Sequence, residues 1–220
     1  MRSRILLTLG LLSVLLTGCA PSSTPSATSG TAPATESVVM RPVTESGLPA
    51  SGFTVTDETT LTLDCGSTSF DAKPSAVAVD DNILACSPSS AFAVACWQDP
   101  VPGFVACYRD PWNTEVIRVP STGTLPKTSA PDQAQPLGLL LSDGDRCLIR
   151  SGGVWNDLAE KPGWYGTYSC TEAGAVWAES TDGVDRSAPR WTVHVAPISG
   201  ESPLSTREVV TAYFVGTAQR

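Results

Sequence analysis

Phe92-Ala93-Val94-Ala95-Cys96-Trp97-Gln98-Asp99-Pro100-Val101-Pro102-Gly103-Phe104-Val105-Ala106-Cys107-Tyr108 is the stretch of this 220-residue chain that decides its fold class. Two short apolar runs flank a segment rich in turn formers. Asp, Pro and Gly there favour a reversal for separate reasons: a side chain that bonds its own backbone, a fixed φ, and freedom to take positive φ. Cys96 and Cys107 stand symmetrically about that turn. The arrangement predicts a β-hairpin with a bridge between its arms.

The same rhythm runs outward in both directions. Short apolar or alternating runs recur at 61–63, 76–79, 83–86, 115–119, 137–141, 147–150, 165–170, 175–177, 191–195 and 209–215. Turn formers separate nearly all of them, for example Asp80-Asp81-Asn82, Ser142-Asp143-Gly144-Asp145 and Thr181-Asp182-Gly183. No segment keeps a helical period over three turns. Ser205 with Glu208 fits a capping box, but Val209, Thr211, Tyr213 and Val215 alternate, which favours a strand. The expected class is all-β: a disulfide-bridged sandwich or barrel of short strands, or two small β lobes packed together. Residues 121–136, rich in Pro, Ser, Thr and Gly, divide a half at 57–120 from a half at 137–220.

The N-terminus has a different composition. Arg2 and Arg4 precede an apolar run at 5–16, too short for a bilayer core that needs about 20 residues. Basic residues followed by a short apolar core read as a signal peptide, here 1–18. It ends in Leu16-Thr17-Gly18-Cys19, which resembles the lipobox of bacterial lipoproteins. The resemblance implies that Cys19 receives S-diacylglycerol, becomes the first mature residue and is N-acylated. Membrane lipid, through acylated Cys19, is then the first partner, and the outer face of the cell membrane the location. Two or three acyl chains hold firmly where one holds only marginally.

Residues 19–49 are expected to be a disordered tether, because Pro, Ser, Thr and Gly fill 18 of the 30 positions after Cys19. Such a coil would span about 30 Å, or about 90 Å if extended in polyproline geometry. The folded domain is then expected at 50–220. Without residues 1–18 the chain keeps 12 basic and 22 acidic residues, a formal charge of −10. That balance argues against nucleic acid as a partner.

Six cysteines remain once Cys19 is set aside, an even number that in an exported chain reads as disulfides. Cys147 and Cys170, the two in the second half, pair with each other. Cys96 with Cys107 leaves Cys65 with Cys86, although Cys86 with Cys96 across Ser87-Pro88 fits nearly as well. Neither a CxxC spacing nor a second histidine supports a metal site, and no cofactor is implied.

Catalytic motifs are absent from the sequence, and the one histidine, His194, falls on the outward side of an alternating run. No catalytic residue is therefore assigned. Two carboxylate pairs, Asp143 with Asp145 and Asp182 with Asp185, keep open a hydrolase or lyase acting on cell-wall polymer. Trp112, Trp155, Trp164 and Tyr165 lie in Gly/Pro-rich loops and form a candidate binding surface for an envelope protein, glycan or lipid. The expected function is a non-catalytic binding or structural domain displayed on a lipid anchor.

The second half carries a further resemblance. The order Leu141-Ser142-Asp143-Gly144-Asp145-Arg146-Cys147, Trp164-Tyr165-Gly166-Thr167-Tyr168-Ser169-Cys170, Arg190-Trp191-Thr192-Val193 and Thr211-Ala212-Tyr213-Phe214-Val215 is similar to small actinobacterial cell-envelope lipoproteins. That group has no assigned activity. It implies the compartment and the Cys147–Cys170 bridge, and passes on no functional residue besides Cys19.

Overall fold

The computed structural model describes residues 33–66, 73–88, 93–123, 125–152, 158–180, 182–201 and 203–219. Among them no helix occurs. The first half supplies β1 (Glu36–Thr44), β2 (Thr54–Asp57), β3 (Leu63–Asp64), β4 (Lys73–Pro74), β5 (Leu84–Ala85), β6 (Cys96–Gln98), β7 (Phe104–Cys107) and β8 (Glu115–Thr122). The second supplies β9 (Gly138–Leu141), β10 (Arg146–Ile149), β11 (Tyr165–Cys170), β12 (Ala175–Ala178), β13 (Thr192–Ala196) and β14 (Ser205–Ala218).

Strands β9 to β14 form a closed barrel. Each is antiparallel to the next, and β14 returns to pair with β9. Closure leaves none of the six with two open edges, which is how a small antiparallel sheet avoids unpaired ladders. Alternation sets which side chains point inward: Val193 and Val195 are buried while Thr192 and His194 between them are half-buried. Leu139, Leu141, Tyr168, Val176, Val209 and Phe214 belong to the same apolar cluster. A barrel this narrow is packed with side chains rather than hollow. Tyr168 is fully buried, and burial pushes its phenol well above the usual range; its hydroxyl donates to the Pro136 carbonyl at 2.9 Å.

The second sheet runs β2-β8-β7-β6-β5-β4, with β3 also on β8. At its centre is the expected hairpin, β6 against β7, with Cys96 directly opposite Cys107. Three bridges are present: Cys65–Cys86, Cys96–Cys107 and Cys147–Cys170. The alternative between Cys86 and Cys96 is thereby excluded. Cys147 and Cys170 face each other across β10 and β11, so this bridge too joins neighbouring strands. Each typically contributes about 2–4 kcal/mol, chiefly by restricting the unfolded chain.

A third cluster joins the two halves. Val77, Ile83, Ala95, Trp97, Tyr108 and Val116 from the first half pack with Leu137 and Val215 from the second. The segment at 125–136 is a crossover bonded to the first half, through Asn82 N–H to Thr128 O and Gln135 N–H to Ala76 O.

Two expectations are corrected. The run at 76–79 is not a strand but a turn that meets β14 by a single bridge at Ala78. The tether does not reach residue 49, because β1 pairs in parallel with β14 from Glu36 opposite Thr211 to Thr44 opposite Ala218. Composition misled here: Ser, Thr and Pro fill the stretch, yet Val38, Met40 and Val43 carry enough apolar surface to dock. Val43 is completely buried. Residues 1–32, Cys19 among them, lie outside the described residues.

Candidate functional site

Each of the four acids singled out in the sequence has its carboxylate engaged by donors of the fold. Asp145, only 5% exposed, is a structural clamp. Its carboxylate accepts from the backbone N–H groups of Arg146 (2.8 Å), Thr171 (3.0 Å), Glu172 (3.1 Å) and Ala173 (2.6 Å), and from the Thr171 hydroxyl. It therefore ties the β9–β10 turn to the β11–β12 turn. Burial alone would raise its pKa, but these donors outweigh it and hold the carboxyl below the ordinary aspartate range. Asp145 also sits beside the Cys147–Cys170 bridge, whose sulfurs are engaged with each other.

The other three are turned onto their own loops. Asp143 accepts from Asp145 N–H at 3.2 Å, and Asp185 from Ser187 N–H at 2.9 Å. Asp182 accepts from Arg186 Nη2 at 3.0 Å; burial raises its pKa against the pull of that guanidinium. His194 lies opposite Thr206 on β14, with its ring 5.3 Å from that of Trp164.

The loop aromatics divide between two faces. Trp164 packs with Leu158, Trp177 and Ala196 in a small outer cluster, as a cap on the barrel wall. Trp155 lies outside the described residues. Tyr165 and Trp112 instead flank a cleft between the second sheet and the barrel.

That cleft is the candidate site. Its larger part, about 690 Å³, is walled by Pro74, Ala85 and Val94 on one side and by Ile149, Tyr165 and Thr167 on the other. Strands β4 and β5 supply the first wall, and the β10 end with β11 the second. The crossover adds Pro131 and Gln135. A mostly apolar hollow of this size matches the space a drug-sized molecule takes.

A second hollow of about 450 Å³ shares Val94, Ile149 and Arg150 with the first, so the two adjoin. It holds Arg109, Arg146 and Arg150 with one acid, Asp110. The Asp110 carboxylate is engaged by Trp112 N–H at 2.8 Å and Asn113 Nδ2 at 3.1 Å. Partial burial pulls Arg150 below the usual guanidinium value, but an arginine keeps its charge.

Trp112 is fixed between these arginines and the barrel. The Arg146 guanidinium lies 5.5 Å from its ring centroid, and Tyr213 meets it edge-on at 5.6 Å. Gly138 makes this possible: a Cβ there would lie 2.8 Å from Pro111 Cγ and 2.9 Å from Trp112 Cη2.

Trp112 and Tyr165 were legible in the sequence as loop aromatics. The three arginines were not, since Arg109 lies 37 residues before Arg146, and the sequence does not announce that β10, with Arg146 and Arg150 at its ends, meets it. Their only signal is position, next to a cysteine-bearing strand in each case (Cys107-Tyr108-Arg109, Arg146-Cys147, Ile149-Arg150).

No protein-family model matches this chain, and no curated protein or solved structure proved similar to it. Among the described residues no helix is long and apolar enough to cross a membrane.

Proposed function

We propose that this chain is an exported lipoprotein, held on the outer face of the cell membrane through acylated Cys19, whose β domain binds a ligand without transforming it. The observation that carries the binding role is the inter-sheet cleft: two adjoining, largely apolar hollows between two disulfide-bridged sheets. The anchor rests on the N-terminal sequence. Binding is favoured over catalysis because the acids that could have reacted bond to their own loops or to a neighbouring arginine.

Two outcomes test this. Cys19→Ala should move the protein from the detergent phase to the aqueous phase in a partition experiment; retention in detergent would disprove the anchor. Protein recovered from its own envelope should carry a bound small molecule by native mass spectrometry. Ala76 lies exposed on the cleft wall, so Ala76→Trp should fill the opening and remove that species with little loss of stability. Equal occupancy in both forms would place the ligand elsewhere.

A further inference from the structure

We infer that the cleft takes an anionic amphiphile: an apolar chain or ring in the larger hollow, and a phosphate- or carboxylate-type head among Arg109, Arg146 and Arg150. This rests on the binding role proposed above and adds the chemical class of the ligand.

Charge distribution argues first. The chain has 22 acids against 14 bases, so cations are scarce, and five of the eight arginines among the described residues have an acidic partner. Arg41, Arg118, Arg186, Arg190 and Arg207 each bridge to a carboxylate. Arg109 and Arg146 are in none of the ion pairs among the described residues, and both line the arginine hollow. Arg150 brings a third guanidinium to it. Its one acid is already bonded to Trp112 and Asn113, so a net positive hollow persists in an acidic protein.

Chemistry and continuity argue next. Guanidinium groups match the oxygens of phosphate and carboxylate with paired, charge-assisted hydrogen bonds. Ser169 and Thr171 add hydroxyl-bearing side chains to the same wall. The head is not the whole ligand, because the arginine hollow adjoins the apolar one along Ile149 and Val94. A bare anion would leave an apolar hollow of about 690 Å³ wet. A neutral apolar molecule would leave Arg109 and Arg146 without a carboxylate or phosphate partner. One molecule with both parts satisfies both hollows.

The probe is decyl phosphate, titrated calorimetrically into the lipid-free chain from residue 19 to 220. Decanol, inorganic phosphate and decyltrimethylammonium serve as partners in the comparison. Decyl phosphate should bind at least about tenfold more tightly than any of the three. Arg109→Gln with Arg146→Gln should remove that advantage and leave decanol binding unchanged. Raising salt should weaken decyl phosphate alone. Lys73 lines the larger hollow and not the arginine one, so Lys73→Gln should keep the advantage of decyl phosphate over decanol. Ala76→Trp should abolish binding of decyl phosphate and of decanol.

Decanol binding as tightly as decyl phosphate would overturn the anionic class while sparing the cleft as a binding site. Loss on Lys73→Gln, with the arginine variant unaffected, would overturn the placement of the head. Binding of no probe would overturn the amphiphile, whereas a co-purified ligand lost from Ala76→Trp would still support the binding role. Because Arg109 and Arg146 are exposed, an unchanged near-ultraviolet circular dichroism spectrum verifies that the double variant is folded.

Discussion

A chain cut to begin at residue 50 is expected to melt at least about 10 °C below one that begins at residue 33, and to fail to fold at growth temperature. Composition alone places both cuts in a dispensable tether. Structure separates them, because the shorter chain loses β1. With it goes Val43, completely buried, whose burial is worth about 1.5–3 kcal/mol, and Met40, partly buried against the same cluster. The edge of β14 from Thr211 to Ala218 loses its parallel partner, leaving a ladder of open amides and carbonyls. Arg41 goes too, and with it the ion pair to Asp80 that is braced by Asp80 accepting from Thr217 N–H.

Gly47 shows how closely the returning chain is held. A Cβ at Gly47 would fall 2.1 Å from the Gln98 carbonyl oxygen, and its φ of +81° is one that side-chain-bearing residues rarely adopt. Losses of about 4–6 kcal/mol together rival the whole stability of an ordinary domain. Thermal unfolding of the two truncations, followed by circular dichroism, checks the difference. Identical midpoints would mean that β1 docks without stabilising.

Asp145→Ala should destabilise by about 3–4 kcal/mol, the largest effect expected from any single acid at a turn. Four backbone donors and a hydroxyl converge on this one carboxylate, and removing it takes the acceptor from the amides of Glu172 and Ala173, while Thr171 N–H keeps the Arg146 carbonyl. Asp145→Asn keeps the shape but loses the charge and turns one oxygen into a donor, so it should recover only part of the loss. Urea unfolding at pH 7 measures both; a change under about 1 kcal/mol for alanine would show that water replaces the clamp readily.

The pH dependence follows from the same bonds. A carboxyl held below its unfolded value stabilises the fold above that unfolded value, about 3.9, and the contribution is lost as pH falls through the lower folded one. The parent should therefore lose stability below about pH 4 more steeply than Asp145→Asn. Asp182 runs the other way. Its raised pKa favours the protonated form in the fold, so its contribution declines as pH rises through the folded value.

Much of this fold was legible because β-structure writes itself locally. Alternation in Trp191-Thr192-Val193-His194-Val195 placed the valines inside, and turn residues marked most strand ends. Cysteine pairing followed from hairpin symmetry at Cys96 and Cys107. What stayed hidden was long-range. Nothing near Glu36 announces that its partner is Thr211, and nothing in the β9 sequence announces that the sheet will close. The site shows the same limit: Asp at a turn favours bonds to its own loop, as Asp143 and Asp185 make, but nothing near Asp145 announces that the amides of Thr171, Glu172 and Ala173 will converge on it. Arginines at 109, 146 and 150 meet only after the barrel has packed against the other sheet.

Strand β14 meets β13, β9 and β1 and bridges to Ala78, so both halves depend on the segment synthesised after all of them. Contacts such as Glu36 with Thr211 give the chain a high contact order, and chains of that kind fold slowly. Until Ser205–Ala218 is available, the barrel cannot close and β1 has no edge to join. For the exported lipoprotein proposed above, such slowness would be an asset, because it would keep the chain unfolded until its last strand had crossed and the cysteines could oxidise.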